Sequence, residues 1–412
     1  MPMVIIGILF FIFGFVTWLN GSLIPFLKII CELSDFEALF VTFAFYIAYT
    51  VMALPMASIL ERVGYKKGMS LGLVVMGLGS LLFIPAALSG EYAIFLGALF
   101  TLGSGLTLLQ TASNPYIVLL GPQESAAMRI SIMGLINKSA GVLAPLLFSA
   151  VVVLHGVDTQ SSESRELLAQ QLIKPYIIMA CMLFGLALFV KLSSLQEVTF
   201  KSNDTYDSLS IFAFPRVVLG AVALFFYVGI EVIAGDTIGL YAQNIGFANA
   251  TALTSYTMAF MVIAYIAGVL LIPKYLSQKS ALIGSSLLGI FFLLGVALSD
   301  TNSDSIASFL WGWSGIATLP NSVTFVALLG LSNALVWPTI WPLALEGLGR
   351  HTPKASALLI MSIAGGALLP LAFGKIAEWS GDMQGSYLYG ILCYGVILFY
   401  GIKGHTMWRW SL

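Results

Sequence analysis

Apolar residues run unbroken for stretch after stretch along this chain, and short polar segments separate the runs. A barrel strand alternates polar and apolar positions over about ten residues. Here the runs reach the length of about 20 residues that a helix needs to cross a bilayer. Only helices and closed barrels satisfy their backbone in lipid, so run length decides for helix. Twelve spans are predicted, at 3–28, 36–60, 68–88, 91–120, 129–154, 174–194, 217–244, 251–273, 281–299, 321–347, 353–377 and 385–404. The longest polar stretch between spans, 193–210, divides them six and six. The pattern predicts a six-helix bundle over 1–192, a central loop over 193–216 and a second six-helix bundle over 217–412. The segment SFLWGWSGI between spans nine and ten is too short to cross, and Trp311 and Trp313 suit the membrane interface. The first run exceeds the apolar core of a signal peptide and has no basic segment before it, so it reads as a spanning helix.

Composition narrows the class. Of 412 residues, 59% are hydrophobic and 9% charged, where a soluble domain carries about 25% charged residues. Mean hydropathy is +0.97. The fold class predicted is an all-α membrane protein whose main partner is the lipid bilayer. Net charge is −1, which gives no electrostatic case for nucleic acid. With the amino terminus inside, thirteen basic residues fall in loops and tail on the inner side. Four fall outside, namely Lys28, Arg165, Lys174 and Lys375. The positive-inside rule then predicts both termini in the cytoplasm of a bacterial inner membrane. Cys31, Cys181 and Cys393 lie far apart without metal-ligand spacing. His155, His351 and His405 fall in loops or near the end. No cofactor and no tightly bound metal are expected, and the absence of HExxH or of an intramembrane histidine argues against an enzyme.

Charged groups at bilayer depth are the informative residues, because each costs about +2.5 to +3.5 kcal/mol on insertion scales. Lys138 lies in the fifth span, and Glu231 and Asp236 lie in the seventh. These three are the candidates for ion coupling, with a candidate cation site near Asp236. A buried ion pair of Lys138 with Asp236 or Glu231 that merely ties helices together is the bland alternative. Five residues apart on a helix means about 140°, so Glu231 and Asp236 share a face only if the helix opens near Gly235. Asn20, Gln110, Asn114 and Asn137 are uncharged candidates for binding substrate, since amides both donate and accept and so suit sugar hydroxyls. Gln110 and Asn114 are four apart and share a face. Each amide could equally serve interhelical bonding. Trp337, before Pro338, and Trp18 could stack on a sugar ring, with packing as the alternative. Arg62, Gly64, Lys66 and Lys67 form a turn between spans two and three that fits a cytoplasmic gate.

The turn ERVGYKKG resembles the loop between helices two and three of the major facilitator superfamily. FFIFGFVTWLNGSLIPFLK, LLQTASNPYIVLLGP, INKSAG and MSIAGGALLPLAFGKIAEWSGD resemble signatures of its fucose/galactose/glucose–cation symporters. The resemblance runs from the first span to the last and is similar to the glucose/N-acetylglucosamine branch. It implies two six-helix bundles that carry a monosaccharide with a cation by alternating access. It also implies that Asn137 contacts sugar. Proton-coupled fucose members carry acids where this chain has Gly21 and Gln110, so sodium is expected ahead of the proton. A proton-linked drug or metabolite exporter of the same fold is the alternative, and its cavity would be more apolar.

Overall fold

A computed structural model of the chain describes residues 2–120, 126–151, 162–197, 211–247, 250–272, 275–346, 348, 352–408 and 410. Among the described residues, twelve helical segments are long and apolar enough to cross a membrane, as the run lengths predicted. They are α1 (Pro2–Trp18, continued by Asn20–Ile30), α2 (Phe40–Val63), α3 (Tyr65–Ser89), α4 (Tyr92–Leu119), α5 (Ala126–Val151) and α6 (Ile173–Leu192) in the first half. The second half holds α7 (Pro215–Asp236, continued by Ile238–Asn244), α8 (Thr254–Leu271) and α9 (Gln278–Leu298). It continues with α10 (Asn321–Asn333, then Val336–Leu345), α11 (Thr352–Met361, then Gly365–Ser380) and α12 (Gly390–Ile402). The central segment 198–210, and with it much of the predicted loop, lies outside the described residues, as do His155 and His351. Leu192, Met182, Phe291 and Leu298 are highly exposed on helix surfaces, which suits lipid and not water. The SFLWGWSGI segment forms a short helix, Ser305–Trp311, with Trp313 exposed beside it.

Within each half the same helices pack together: α1 on α5, α2 on α4 and α3 on α6, and correspondingly α7 on α11, α8 on α10 and α9 on α12. The first of these seams needs glycine in both halves. A Cβ at Gly14 of α1 would overlap the carbonyl of Asn137 in α5, and a Cβ at Gly365 of α11 would overlap the carbonyl of Phe225 in α7. Small residues at such seams let two backbones touch, the main source of helix attraction in lipid.

Helices α1, α7, α10 and α11 are interrupted, the last by a tighter turn at Ser362–Ala364. In α1 the break is at Leu19, where the Ser22 N–H bonds to the Leu19 carbonyl at 3.0 Å in a tighter turn. In α7 it is at Thr237, whose hydroxyl donates back to the Ile233 carbonyl at 2.6 Å. Such back-bonding bends helices. In α10 it is at Ala334–Leu335; Pro338 has no N–H for the Ala334 carbonyl, and its ring crowds that position.

Described polar bonds between the halves lie from mid-helix to the end that carries Asp35. Ser255 Oγ donates to the Val142 carbonyl at 2.7 Å, and Ser22 Oγ to the Thr251 carbonyl at 2.5 Å. Gln243 Nε2 donates to the Pro25 carbonyl at 3.4 Å, and Asn244 Nδ2 to Asp35 Oδ2 at 3.1 Å. The other carboxyl oxygen of Asp35 pairs with Lys28. This end is stitched shut by α1, α7 and the turn before α2.

Candidate substrate and coupling site

Where α5 meets α7, the Lys138 ammonium lies 2.6 Å from Glu231 Oε1. Both side chains are about nine-tenths buried, at 10% and 9% exposure. Tyr227, one turn before Glu231, donates its hydroxyl to the same oxygen at 2.8 Å. The Trp18 ring lies under the ammonium, 4.3 Å from ring centre to Nζ. Such a contact adds about 0.5–2 kcal/mol. Trp337 reaches the cluster from α10, its ring 6.3 Å from Tyr227 and stacked 5.2 Å from Trp341. One buried ion pair thus joins the two halves and is framed by aromatic faces from three helices.

Asp236 sits apart from that pair. The helix stays closed through Gly235 and opens only at Thr237, so Asp236 and Glu231 keep different faces. Asp236 Oδ2 accepts from the Thr42 hydroxyl of α2 at 3.2 Å. Its Oδ1 is buried without a hydrogen-bond partner. Packing seals the position. Gly21 of α1 lies against Gly235 so closely that a Cβ there would overlap Thr254 Oγ1 and come within 2.9 Å of the Gly235 carbonyl. Thr254 donates to that carbonyl at 2.7 Å. The space beside Gly21 is therefore filled by contact between the halves. A Cβ at Gly235 would overlap the Trp18 ring at 2.5 Å.

The amides spread over a gradient of exposure. Asn20 is buried beside Gly21, and its Nδ2 has no partner. Gln110 Nε2 donates to the Tyr49 hydroxyl at 3.0 Å, and Asn137 Nδ2 to the Phe10 carbonyl at 3.3 Å. Gln110, Asn114, Asn137 and Trp337 stay partly exposed, whereas Asp236 and Thr42 are fully buried. The ion pair lies between these two zones. The structure so brings Lys138, Glu231, Trp18 and Trp337 together, buries Asp236 more fully, and keeps the amides on α1, α4 and α5 of the first half.

Sequence reasoning did not find Tyr227, Thr42 or Tyr49. Tyr227 precedes Glu231 by one helical turn, a spacing that could have signalled it. Thr42 carries no such signal, because a lone hydroxyl in an apolar helix usually bonds its own backbone. A further polar group, also missed, lies in the second half. Tyr394 of α12 donates to Asn333 Oδ1 at 2.7 Å and shares a 2.8 Å bond with Ser332, at the break of α10.

At the other end, Gly64 ends α2 with φ 82°, a conformation glycine adopts without strain. A Cβ there would overlap the Glu197 carboxylate. That carboxylate accepts from the Lys66 backbone N–H at 2.9 Å, and Lys66 Nζ donates to the Ser193 carbonyl at 2.7 Å. Arg62 and Lys67 are exposed beside them. Among the described residues no group of three or more His, Cys, Asp or Glu side chains converges to hold a metal.

Comparison with known proteins agrees with this architecture. The family model described as Major Facilitator Superfamily matches residues 6–370. A glucose/galactose transporter of Brucella abortus is 35% identical over 408 residues, covering 96% of this chain and 92% of that protein. The L-fucose-proton symporter of Escherichia coli is 27% identical over 424 residues, covering 97% and 92%. The major facilitator transporter FucP, solved in the outward conformation, superposes with a TM-score of 0.72 at 24% identity, over 97% of this chain and 98% of that one.

Proposed function

This chain belongs to the major facilitator superfamily, and from that premise we propose that it imports a monosaccharide together with a cation. Glucose, galactose and N-acetylglucosamine are the sugars proposed. The observation that carries the reading is the Lys138–Glu231 pair, which spans the two halves at 2.6 Å inside an aromatic frame. Sugar is neutral, so a self-neutralised pair can hydrogen-bond its hydroxyls without drawing in a charged ligand. Gln110, Asn114 and Asn137 line the partly exposed wall next to it, and Asn20 lies at its closed end. Trp337 would cover a sugar ring. The names of the relatives support the substrate class: glucose/galactose for one and L-fucose for the other.

The orientation follows from loop charge, with the Gly64 turn and both termini in the cytoplasm and the Asp35 end outside. The bilayer would be a bacterial inner membrane. The stitched Asp35 end then makes this an outward-closed form. Arg62, Gly64, Lys66 and Lys67, docked on residues 193–197, would act as the inner gate. Lys138, Glu231 and Asp236 would couple sugar to the cation, because a ligand drives a conformational cycle only through different affinity for its two states. Gly21 and Gln110 are neutral, which favours sodium; the name of the fucose relative favours the proton.

Sugar uptake into vesicles, with a sodium gradient and a proton gradient imposed separately, tests the reading. The expected result is accumulation of one of the three sugars under one of the two gradients. Heat protection of the purified protein by that sugar would accompany it. Uptake of none of them, with protection by cationic drugs instead, would replace the sugar symporter by an exporter.

A further inference from the structure

Asp236 is fully buried, yet among the described residues its carboxyl group has one donor, the Thr42 hydroxyl at 3.2 Å, and Oδ1 has none. A carboxylate that kept its charge there would have lost its water without gaining a counter-charge, which proteins avoid. The charged and titratable groups that face it are few. From α5 comes Lys138, already bound to Glu231 of α7, and from α2 comes Tyr46. The piece of α1 packed over the site, Asn20 and Gly21, brings no ionisable group. The near side of the site is closed by Trp18 against Gly235 and by Gly21 against Thr254.

Thr42 belongs to the first half and Asp236 to the second. Their bond, like the Gly21–Gly235 contact, crosses between the halves beside the shut Asp35 end. We propose that Asp236 is the binding site for the coupling cation, and that the Asp35 end closes only when the cation has cancelled its charge. The cation is monovalent: a proton on Oδ1, or a sodium ion held by Oδ1 with neighbouring neutral oxygens. With the Asp35 end open, water reaches the carboxylate and the ion comes or goes. With it shut, the site is dry and only the loaded form fits. This rests on the transport reading above and adds the order of events, cation first and closure second. Lys138 and Glu231 stay paired within the sugar site and carry no net charge through the step.

The test reads closure without reference to sugar. Spin labels at Glu91→Cys and Asn302→Cys, exposed residues on the two halves at this end, are placed in the full-length protein in lipid nanodiscs. The three native cysteines are replaced by serine. The distance between labels is measured from pH 5 to pH 9, with and without sodium. It is expected to shorten on acidification or on sodium addition, and the effective one identifies the cation. Asp236→Asn, which cannot carry the charge, is expected to stay short under every condition. Asp236→Glu is expected to keep the dependence with a shifted midpoint.

A distance indifferent to both pH and sodium overturns the inference. So does an Asp236→Asn protein that follows the unmodified titration, or an Asp236→Glu protein whose midpoint does not move. A protein whose labels respond to the cation but that exchanges none of the three sugars sinks the substrate reading alone and leaves this inference standing.

Discussion

The two halves share a skeleton and differ in what they do with it. In the first, α4 and α5 run without a break and carry partly exposed amides, Gln110, Asn114 and Asn137. In the second, the corresponding α10 and α11 are interrupted, at Ala334–Leu335 and at Ser362–Ala364. Its polar groups are carboxylates and phenols: Glu231, Asp236, Tyr227 and Tyr394. Only α1 and α7 are broken in both. The connections at the Asp35 end differ as well. Between α3 and α4 lies a tight turn at Gly90, whereas between α9 and α10 lies a loop with its own helix. An unbroken wall holds neutral hydrogen-bonding groups in fixed positions. An interrupted one frees backbone groups and lets charged side chains shift, the arrangement expected where transporters change state.

The comparison breaks first at the Lys138–Glu231 tie. Lys138→Met leaves Glu231 charged and buried, a change that costs about 3–5 kcal/mol when a buried pair loses one partner. Thermal unfolding of the purified protein is expected to drop accordingly. Lys138→Met with Glu231→Gln should recover most of that loss while transport stays abolished. Equal stability of the single and double variants would mean that the pair does not join the halves.

The shared skeleton is sharpened next by Gly14→Ala and Gly365→Ala. Each puts a methyl group onto a carbonyl, and overpacking costs about 1–3 kcal/mol. Both are expected to destabilise to a similar degree; a silent alanine at either position would remove the symmetry of the seams. Smaller still is the effect on sugar affinity. Gln110→Ala on one wall and Trp337→Ala on the other are each expected to weaken binding about tenfold, or about 1.4 kcal/mol, measured by titration calorimetry. Loss from one wall only would assign recognition to a single half.

The smallest effect concerns the long loop between α9 and α10. Hydrogen bonds from Thr318 and Ser308 hold the exposed Asp304 carboxyl below its usual range. A depressed carboxyl group stabilises the folded loop above its unfolded value and loses that contribution as pH falls through the folded one. Thr318→Val is expected to raise the Asp304 titration toward its ordinary value, about 3.9, and to remove the acid-labile part of loop protection in hydrogen exchange.

Much of this architecture could be read from the chain. Run length gave twelve spans because lipid leaves helices little choice, and residues as costly as Lys138 and Glu231 marked the interface between the halves. The partner of Lys138 was narrowed to two carboxylates but not chosen, since five residues on a helix separate faces without saying which one meets α5. An opening near Gly235 would have let Glu231 and Asp236 share a face; the break falls instead at Thr237, where a hydroxyl bends the backbone. Thr42 stayed hidden because its importance comes only from what stands opposite in the other half. The fit of Gly21 against Thr254 and Gly235 is likewise a fact of packing, invisible in either segment alone.

At the α1–α5 seam, Asn137 meets Gly14 of α1 through its main chain and ties its side chain to the Phe10 carbonyl of that same helix. Two kinds of grip therefore occupy one position without competing for the same atoms. Residue 137 can be exchanged in the course of evolution at the cost of one hydrogen bond, while the main-chain contact keeps the bundle together. Gly14 has no such freedom, and drift there would be purged however the diet of the cell changed.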